Sequence, residues 1–253
     1  MQFWKRIPVR DGLQDWDCPE AISIPTMEKA LSHIRTTATF PVRSHWHLSA
    51  RSSHGLPRSF LPLRTAPAKS YSAQPDLDSK EDQNQVGKCP VSDEKIAAMR
   101  DKVAAWRLPD QPGHGILGEH GLKMCLLDGF LLYCQEMKKV QSLIDIKLFL
   151  LVSREKATQR REARDGYVTL EGFWQDPPGY LDKIVWPNYA AAHSWLFVDG
   201  NVEGQLDEEV LRSTGIQAQV GKDQDITFEE TLEWAVDRIM EGLVQIASKD
   251  KSQ

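Results

Sequence analysis

The sequence predicts an α/β fold in which a parallel sheet is covered by helices on both faces. Two candidate strands, residues 122–127 and 146–152, are apolar along almost their whole length, as expected for strands buried on both faces. They alternate with segments of helical periodicity, a pattern typical of parallel strands joined by helical crossovers. The chain has 253 residues, of which 41% are hydrophobic, so it is long enough to build one sizeable core.

The first segment, residues 1–35, is predicted to be a loop followed by a helix. Asp11-Gly12 is a turn signal, and Pro19 is suited to the first turn of a helix. Three apolar residues then recur at helical spacing: Met27, Leu31 and Ile34.

The second segment, residues 36–75, is basic and of low complexity and is predicted to be disordered. Between Phe40 and Pro75 it contains many Ser and Pro residues, five Arg or Lys residues and no Asp or Glu. One interpretation is a basic arm that contacts nucleic acid or a protein partner. The other is a stretch never selected as protein, such as a retained intron. Nucleic acid is the less favoured partner, because few aromatic residues lie among the basic ones.

The third segment, residues 76–121, is predicted to be a helix followed by a linker. The helix covers residues 92–107, with Ser92 as its cap and acidic residues in its first turn. Four apolar residues lie on one face of this helix: Ile96, Met99, Val103 and Trp106. The linker, residues 109–121, is rich in Gly and Pro.

The last segment, residues 122–253, holds most of the predicted sheet. Strand 122–127 ends at Asp128-Gly129, so a carboxylate follows directly after a buried strand. The elements predicted after it are a strand at 146–152, a helix at 153–164, a Pro/Gly-rich loop, a helix at 182–193, a strand at 195–199 and a helix at 227–247.

Composition excludes several classes of function. The net charge of -5 gives no overall attraction to nucleic acid or to an anionic membrane surface. The four cysteines show no CxxC spacing, which argues against a zinc site or a disulfide framework. No run approaches the roughly 18 apolar residues of a membrane span. We therefore expect a cytoplasmic protein, with a nuclear pool as the alternative, that does not bind membranes.

Trp16-Asp17 and Asp128 each have two interpretations. Asp17 is either the cap of a helix that begins at Pro19, or an acid that binds sugar hydroxyls while Trp16 stacks on a heterocycle. Asp128 is either part of an ordinary turn, or a carboxylate placed to hold a phosphate-bound metal.

The predicted helix 153–164 is rich in arginine and also has two interpretations. Arg160, Arg161 and Arg164 lie within about one turn, so their guanidinium groups are able to meet one polyphosphate, as in the lid of a nucleoside-type kinase. The alternative is a solvated helix face paired with Glu155 and Glu162. Tyr167 is either the second face of a stacking site or an ordinary lid residue.

The order of several blocks resembles nicotinamide riboside kinases. These blocks are residues 11–17, 128–132, 160–161, and 179–187, and the resemblance covers about residues 3–35 and 76–210. It implies a three-layer P-loop kinase-like fold, in which ATP and Mg²⁺ serve to phosphorylate a small nucleoside, nicotinamide riboside, to its mononucleotide in NAD biosynthesis.

The resemblance also implies roles for individual residues. Substrate contacts fall on Trp16, Asp17, Arg161 and, more loosely, Tyr167. ATP and lid contacts fall on Arg160, Arg164, Val198, Asp199 and Gly200. Asp128 corresponds to the acid associated with the metal, although many relatives carry Glu there.

The sequence departs from the family pattern at its start. A phosphate loop needs the pattern G-x-x-x-x-G-K-[ST], which does not occur in the 253 residues. The family's catalytic base is expected just upstream of Phe3, so no catalytic residue is assigned. We therefore expect an N-terminally truncated, fungal-type long form with a basic insert, lacking the first strand, the phosphate loop and the second strand of the sheet. Negligible turnover and marginal stability are expected, and the alternative function is a non-catalytic riboside-binding or regulatory protein.

Overall fold

The computed structural model describes residues 7–41, 89–117, 121–163, 167–169, 172–219 and 225–250. These residues fall into two compact units. Unit 1 contains the described residues of 7–41, 126–143 and 157–193, and unit 2 contains those of 89–125, 144–156 and 194–250. No helix in these described ranges is long and apolar enough to cross a membrane.

The longer helices account for most of the regular structure. In chain order they are α1 (Ile24–Thr37), α2 (Asp93–Trp106), α3 (Lys138–Gln141), α4 (Arg154–Glu162), α5 (Trp186–His193), α6 (Glu208–Thr214) and α7 (Phe228–Asp250). One π-helical turn, Leu181–Val185, runs directly into α5.

Within the described ranges the strands are short and form three two-stranded sheets. They are β1 (Val9–Arg10), β2 (Leu13–Gln14), β3 (Lys147–Phe149), β4 (Tyr167–Thr169), β5 (Gly172–Trp174) and β6 (Ile216–Ala218). The pairs β1–β2 and β4–β5 are antiparallel, whereas β3 and β6 are parallel, with Lys147 opposite Ile216. The mixture of helices with a small parallel sheet agrees with the predicted α/β class.

The predicted helices are confirmed where a cap and an apolar period occur together. In α2 the Ser92 hydroxyl accepts a hydrogen bond from the Lys95 backbone N–H, as expected of a helix cap. The terminal helix is also confirmed and runs three residues beyond its predicted end. Helix α1 ends at Thr37, so two residues assigned to the basic insert are helical; residues 42–88 of that insert and its surroundings lie outside the described residues.

Two predicted strands are wrong. Residues 123–129 have no regular structure, and Leu122 makes only an isolated bridge with Leu117. A strand is stable when a neighbour satisfies its backbone, and none of the described segments pairs with this run. Its Met124 and Leu126 side chains are accordingly exposed. The predicted strand 195–199 is instead two 3₁₀ turns, because Asp199 and Gly200 both adopt left-handed backbone angles that fold the chain back.

Unit 2 has a core built by helix α7 and the segment after α2. Trp106, Ile116 and Leu243 are buried together, and we call this group the apolar cluster. Gly113 lies flat against the Trp106 indole, where an added Cβ would fall 2.2 Å from a ring atom. The close approach explains why a glycine occupies this position in the linker.

Unit 1 buries a different set of side chains. Leu131, Cys134, Met137 and Val140 are buried on the segment that leads into and through α3. Helix α1 lies beside this segment, where the Arg35 guanidinium donates to the Leu143 carbonyl at 3.0 Å. This packing supports the predicted apolar face of α1, since Ala30 and Leu31 are buried.

Candidate functional site

The polar residues of unit 1 follow a tight β-hairpin. Asp11 and Gly12 have φ angles of 50° and 76°, the left-handed pair that a two-residue turn between antiparallel strands requires. The predicted Asp-Gly turn is therefore confirmed. Strand β2 ends at Gln14, so the chain delivers Asp15, Trp16 and Asp17 directly after the hairpin.

Asp17 and Arg161 form a two-pronged ion pair. The Nη1 and Nη2 atoms of Arg161 lie 3.0 Å from Oδ1 and Oδ2 of Asp17, and both side chains are mostly buried. The same guanidinium also donates to Asp176, through Nε and, at 3.3 Å, through Nη2. One arginine thus connects two carboxylates from distant parts of the chain, a geometry that its planar fork permits and a lysine does not.

The charge on Arg161 is strongly held. Burial alone opposes the charged form, but the hydrogen bonds that the guanidinium donates to Asp176 and Asp17 outweigh it and raise the pKa of the guanidinium above its ordinary value. The Arg161 guanidinium also lies over the Tyr180 ring, 5.6 Å from its centre. The ion pair is therefore a fixed part of this unit.

Asp15 is the most buried acid of the group. Its side chain is fully buried and accepts hydrogen bonds from Arg10, from the Asn188 amide at 2.9 and 2.8 Å, and from the Asp17 backbone N–H at 3.0 Å. The Asn188 amide also donates to the Asp17 carbonyl at 3.1 Å. We call this set the polar cluster: Arg10, Asp15, Asp17, Arg161, Asp176 and Asn188.

Tyr180 holds the backbone between the two acids. Its hydroxyl oxygen accepts a hydrogen bond of 2.9 Å from the Trp16 backbone N–H. Burial raises the pKa of this phenol well above its usual range, and the neighbouring Asp17 carboxylate adds to the shift. Tyr180 therefore remains a neutral hydroxyl at any physiological pH.

The polar cluster carries a small negative charge in a largely buried setting. Three carboxylates of the cluster face two guanidinium groups, and Arg10 also lies 3.5 Å from the Glu20 carboxylate, so the acids outnumber the guanidinium groups. Such a site favours a cation over an anion as its ligand, because the charge of a buried group is only weakly screened.

The structure brings together three of the predicted substrate residues: Trp16, Asp17 and Arg161. Asp17 does not cap the short 3₁₀ helix Pro19–Ala21, whose cap position is Cys18, so the capping alternative is wrong. Arg161 pairs with Asp17 and Asp176, so it is not part of a helix face neutralised by Glu155 and Glu162.

The remaining predicted residues are less closely associated. Arg160 is half-buried on α4, Arg164 lies outside the described residues, and only the backbone of Tyr167 is described. Val198, Asp199 and Gly200 form an exposed 3₁₀ turn of unit 2. Asp128 is exposed, and in the described part of the chain no three His, Cys, Asp or Glu side chains are arranged so that they could hold a metal ion.

Sequence reasoning missed four members of the polar cluster and the tyrosine that contacts it: Arg10, Asp15, Asp176, Asn188 and Tyr180. The sequence did offer a signal for Asp15, because acids stand on both sides of Trp16 and either one could belong to the site. A buried acid is rare without a partner, so a buried Asp15 also implies partners elsewhere in the chain. Nothing in local spacing predicts Asn188 or Tyr180, because their partners lie more than 160 residues away in the chain.

Comparison with known proteins gives several relatives of one kind. Nicotinamide riboside kinase of Schizosaccharomyces pombe is 30% identical over 237 residues, which cover 94% of this chain and 80% of the relative. The protein of the same name from Eremothecium gossypii is 30% identical over 76% of this chain and 60% of its own length. That of Saccharomyces cerevisiae is 34% identical over 47% of each chain. Neither a family model nor a solved structure matches the chain.

Proposed function

We propose a function from one premise: the chain belongs to the nicotinamide riboside kinase family. The polar cluster of unit 1 is the binding site for the nucleoside, nicotinamide riboside. The observation that carries this proposal is the Asp17–Arg161 ion pair beside Trp16, since these are the residues on which the family resemblance places substrate contacts.

The chemistry of the site suits this ligand. A carboxylate has about four acceptor directions, so Asp17 retains capacity for a ribose hydroxyl after Arg161 has taken two of them and the Tyr180 hydroxyl a third. The Trp16 ring supplies a flat surface for a pyridinium ring, a cation that benefits from an aromatic face. The net negative charge of the polar cluster further favours a cationic nucleoside.

The activity proposed for the family member is transfer of the ATP γ-phosphate to the 5′-hydroxyl of the riboside, giving the mononucleotide used in NAD biosynthesis. A P-loop kinase-like three-layer sheet, with Arg160 and Arg164 in a lid and Val198, Asp199 and Gly200 near the adenine, belongs to this proposal. The proposal also includes Asp128 as the acid associated with the metal. It includes a cytoplasmic location for the protein as well.

The residues described do not fit a complete MgATP site. Asp128 is exposed and belongs to no cluster of potential metal ligands within the described ranges. The printed sequence contains no G-x-x-x-x-G-K-[ST] pattern to wrap the phosphates. We therefore derive no phosphoryl-transfer step for the 253-residue chain. This observation favours, as the second candidate function, a protein that binds the riboside without converting it.

Two measurements on the 253-residue protein test the proposal. Calorimetric titration with nicotinamide riboside is expected to show binding, and Asp17→Asn is expected to weaken it at least about ten-fold by removing a charged acceptor. Asp207→Asn is the matched control, because Asp207 accepts two backbone N–H bonds in unit 2 and has no place in the polar cluster. Absence of riboside binding by the parent protein would overturn the proposal.

A phosphorylation assay with nicotinamide riboside and MgATP then separates the two candidate functions. Binding without turnover supports the non-catalytic candidate. A rate well above the no-protein background would instead establish a kinase. It would also show that residues outside any G-x-x-x-x-G-K-[ST] pattern bind the phosphates of ATP.

A further inference from the structure

Asp15 and Asn188 hold the backbone of the loop that carries Trp16 and Asp17. The two N–H groups of the Asn188 amide serve the Asp15 carboxylate and the Asp17 carbonyl, at 2.8 to 3.1 Å. The Asp15 carboxylate in turn receives the Asp17 backbone N–H at 3.0 Å. Both polar groups of the Asp17 peptide backbone are thus fixed by one buried acid and one amide.

Further hydrogen bonds fix the rest of this loop. The Asp15 N–H donates to the Pro8 carbonyl at 2.8 Å, and the Asp15 carbonyl accepts from the Cys18 thiol at 3.1 Å. The Trp16 N–H donates to Tyr180. The loop therefore has little freedom to reorient the two side chains that the proposed function assigns to the riboside.

We propose that Asp15 and Asn188 are a positioning pair that sets the direction of the Asp17 carboxylate and the Trp16 ring for riboside binding. This inference rests on the proposed function. Asp15 does not need to touch the ligand, since its fully buried side chain has no surface left for it. Asn188 does not need to either, because the loop already takes both N–H groups of its amide. The pair acts through Asp17, because preorganising a binding group removes the cost of ordering it when the ligand arrives.

The choice of residue types follows from donor and acceptor counts. Asp15 supplies acceptors only, and it receives donors from Arg10, Asn188 and the Asp17 N–H. An Asn at position 15 would turn one acceptor into a donor that faces other donors. Rotating the Asn188 amide by about 180° would turn its oxygen toward the new donor at position 15. The same rotation would turn the amide N–H groups away from the Asp17 carbonyl, and that hydrogen bond would be lost. The conflict cannot be solved locally, so the loop must shift.

The first experiment measures riboside affinity of the 253-residue protein carrying Asn188→Ala or Asp15→Asn, at a temperature where circular dichroism shows each variant folded. We expect affinity to fall about ten-fold, the usual effect of a lost buried hydrogen-bond partner. Asp207→Asn in unit 2 should leave it unchanged. If the parent protein does not bind riboside, the proposed function fails; if it binds and both variants keep its affinity, only the positioning inference fails.

The second experiment separates positioning from general stabilisation. In an Asp17→Asn background, Asp15→Asn should cost clearly less affinity than it does in the parent protein, because the part of the effect that passes through Asp17 disappears with that carboxylate. Equal losses in both backgrounds would overturn the inference.

The third readout covers the case in which Asp15→Asn fails to fold. With 5-fluorotryptophan incorporated at the eight tryptophans, the Trp16 signal, assigned with Trp16→Phe, should move in Asn188→Ala while the signals of unit 2 stay in place. An unmoved Trp16 signal would contradict the inference.

Discussion

Unit 1 and unit 2 are each stabilised by a different kind of internal contact. The polar cluster of unit 1 uses directional hydrogen bonds between buried charges, of which the Arg161 fork is the centre. The apolar cluster of unit 2 uses the burial of Trp106, Ile116 and Leu243, and its charged pairs, such as Lys102–Asp237, are partly exposed. Burial is not directional, whereas hydrogen bonds are, so unit 1 is suited to recognising a ligand and unit 2 to providing stability.

The largest expected effect is that of Arg161→Ala. It leaves Asp17 and Asp176 buried without their shared cation, a loss of about 3 to 5 kcal/mol when one partner of a buried ion pair is removed. Urea unfolding should show this loss, and calorimetry should show loss of riboside binding. The matched control is Arg238→Ala, which breaks a more exposed pair with Glu241 and should cost within about 1 kcal/mol. Equal effects of the two substitutions would remove the contrast between the units.

Leu243→Ala is expected to be next in size and to affect stability alone. Leu243 is buried beside Trp106 and Ile116, and such a truncation typically costs about 2 to 5 kcal/mol. Urea unfolding measures this cost, while riboside affinity of the folded variant should equal that of the parent. A drop in affinity as large as that of Arg161→Ala would show that ligand binding depends on the apolar cluster as well.

The third prediction concerns pH and His193 in unit 1. Burial is the main cause that lowers the pKa of this imidazole, although a bond to the Tyr189 carbonyl opposes it. Below the ordinary histidine pKa of about 6.5 the unfolded chain binds a proton that the folded chain does not, so stability falls as pH falls. The resulting loss in the free energy of unfolding is at most about 1.4 kcal/mol per pH unit, and above the ordinary histidine pKa there is no such loss.

Thermal unfolding at about pH 7.5 and about pH 5.5 tests this, with the ordinary histidine pKa of about 6.5 between the two values. The parent protein should lose more stability between them than His193→Gln does. The exposed His114→Gln serves as control and should behave like the parent. A His193 variant with the full pH dependence of the parent would assign that dependence to other groups.

The smallest expected effect is that of Ser92→Ala in unit 2. It removes the cap of α2 and the hydrogen bond of 2.6 Å to Glu229, and capping residues are worth about 1 kcal/mol. Ser92→Thr keeps both the hydroxyl donor to Glu229 and the acceptor at the cap, and should lose less. Urea unfolding measures the free energy of unfolding of both variants. A loss in Ser92→Ala as large as that in Leu243→Ala would show that polar contacts stabilise unit 2 as much as apolar burial does.

Local signals in the sequence predicted the elements that depend on local physics. Helix α2 carries its own cap and apolar period, and the Asp11-Gly12 turn carries its own backbone preference, so both were predictable. The run 122–127 looked like a strand because it is apolar, but a strand depends on a partner elsewhere in the chain, which periodicity does not reveal. The parallel partner of β3, residues Ile216–Ala218, was missed for the same reason.

The site divides in the same way. Trp16 and Asp17 were found because an aromatic residue beside an acid is itself a chemical pattern, and Arg161 because arginines cluster on one helix. Asn188 has no such local mark: it matters only because the fold places its amide against Asp15. The residues proposed to touch the ligand are therefore easier to find in the sequence than the residue proposed to orient them.

The π-helical turn Leu181–Val185 gives the chain one residue more than an α-helical path would use before α5 begins. Each residue rotates a helix by about 100°, so that single extra residue decides which side of α5 meets the Asp15 carboxylate. A deletion of one residue within this turn would leave the sequence of α5 unchanged, yet would turn Asn188 away from its acceptor. The length of this stretch therefore matters to the site as much as its composition does.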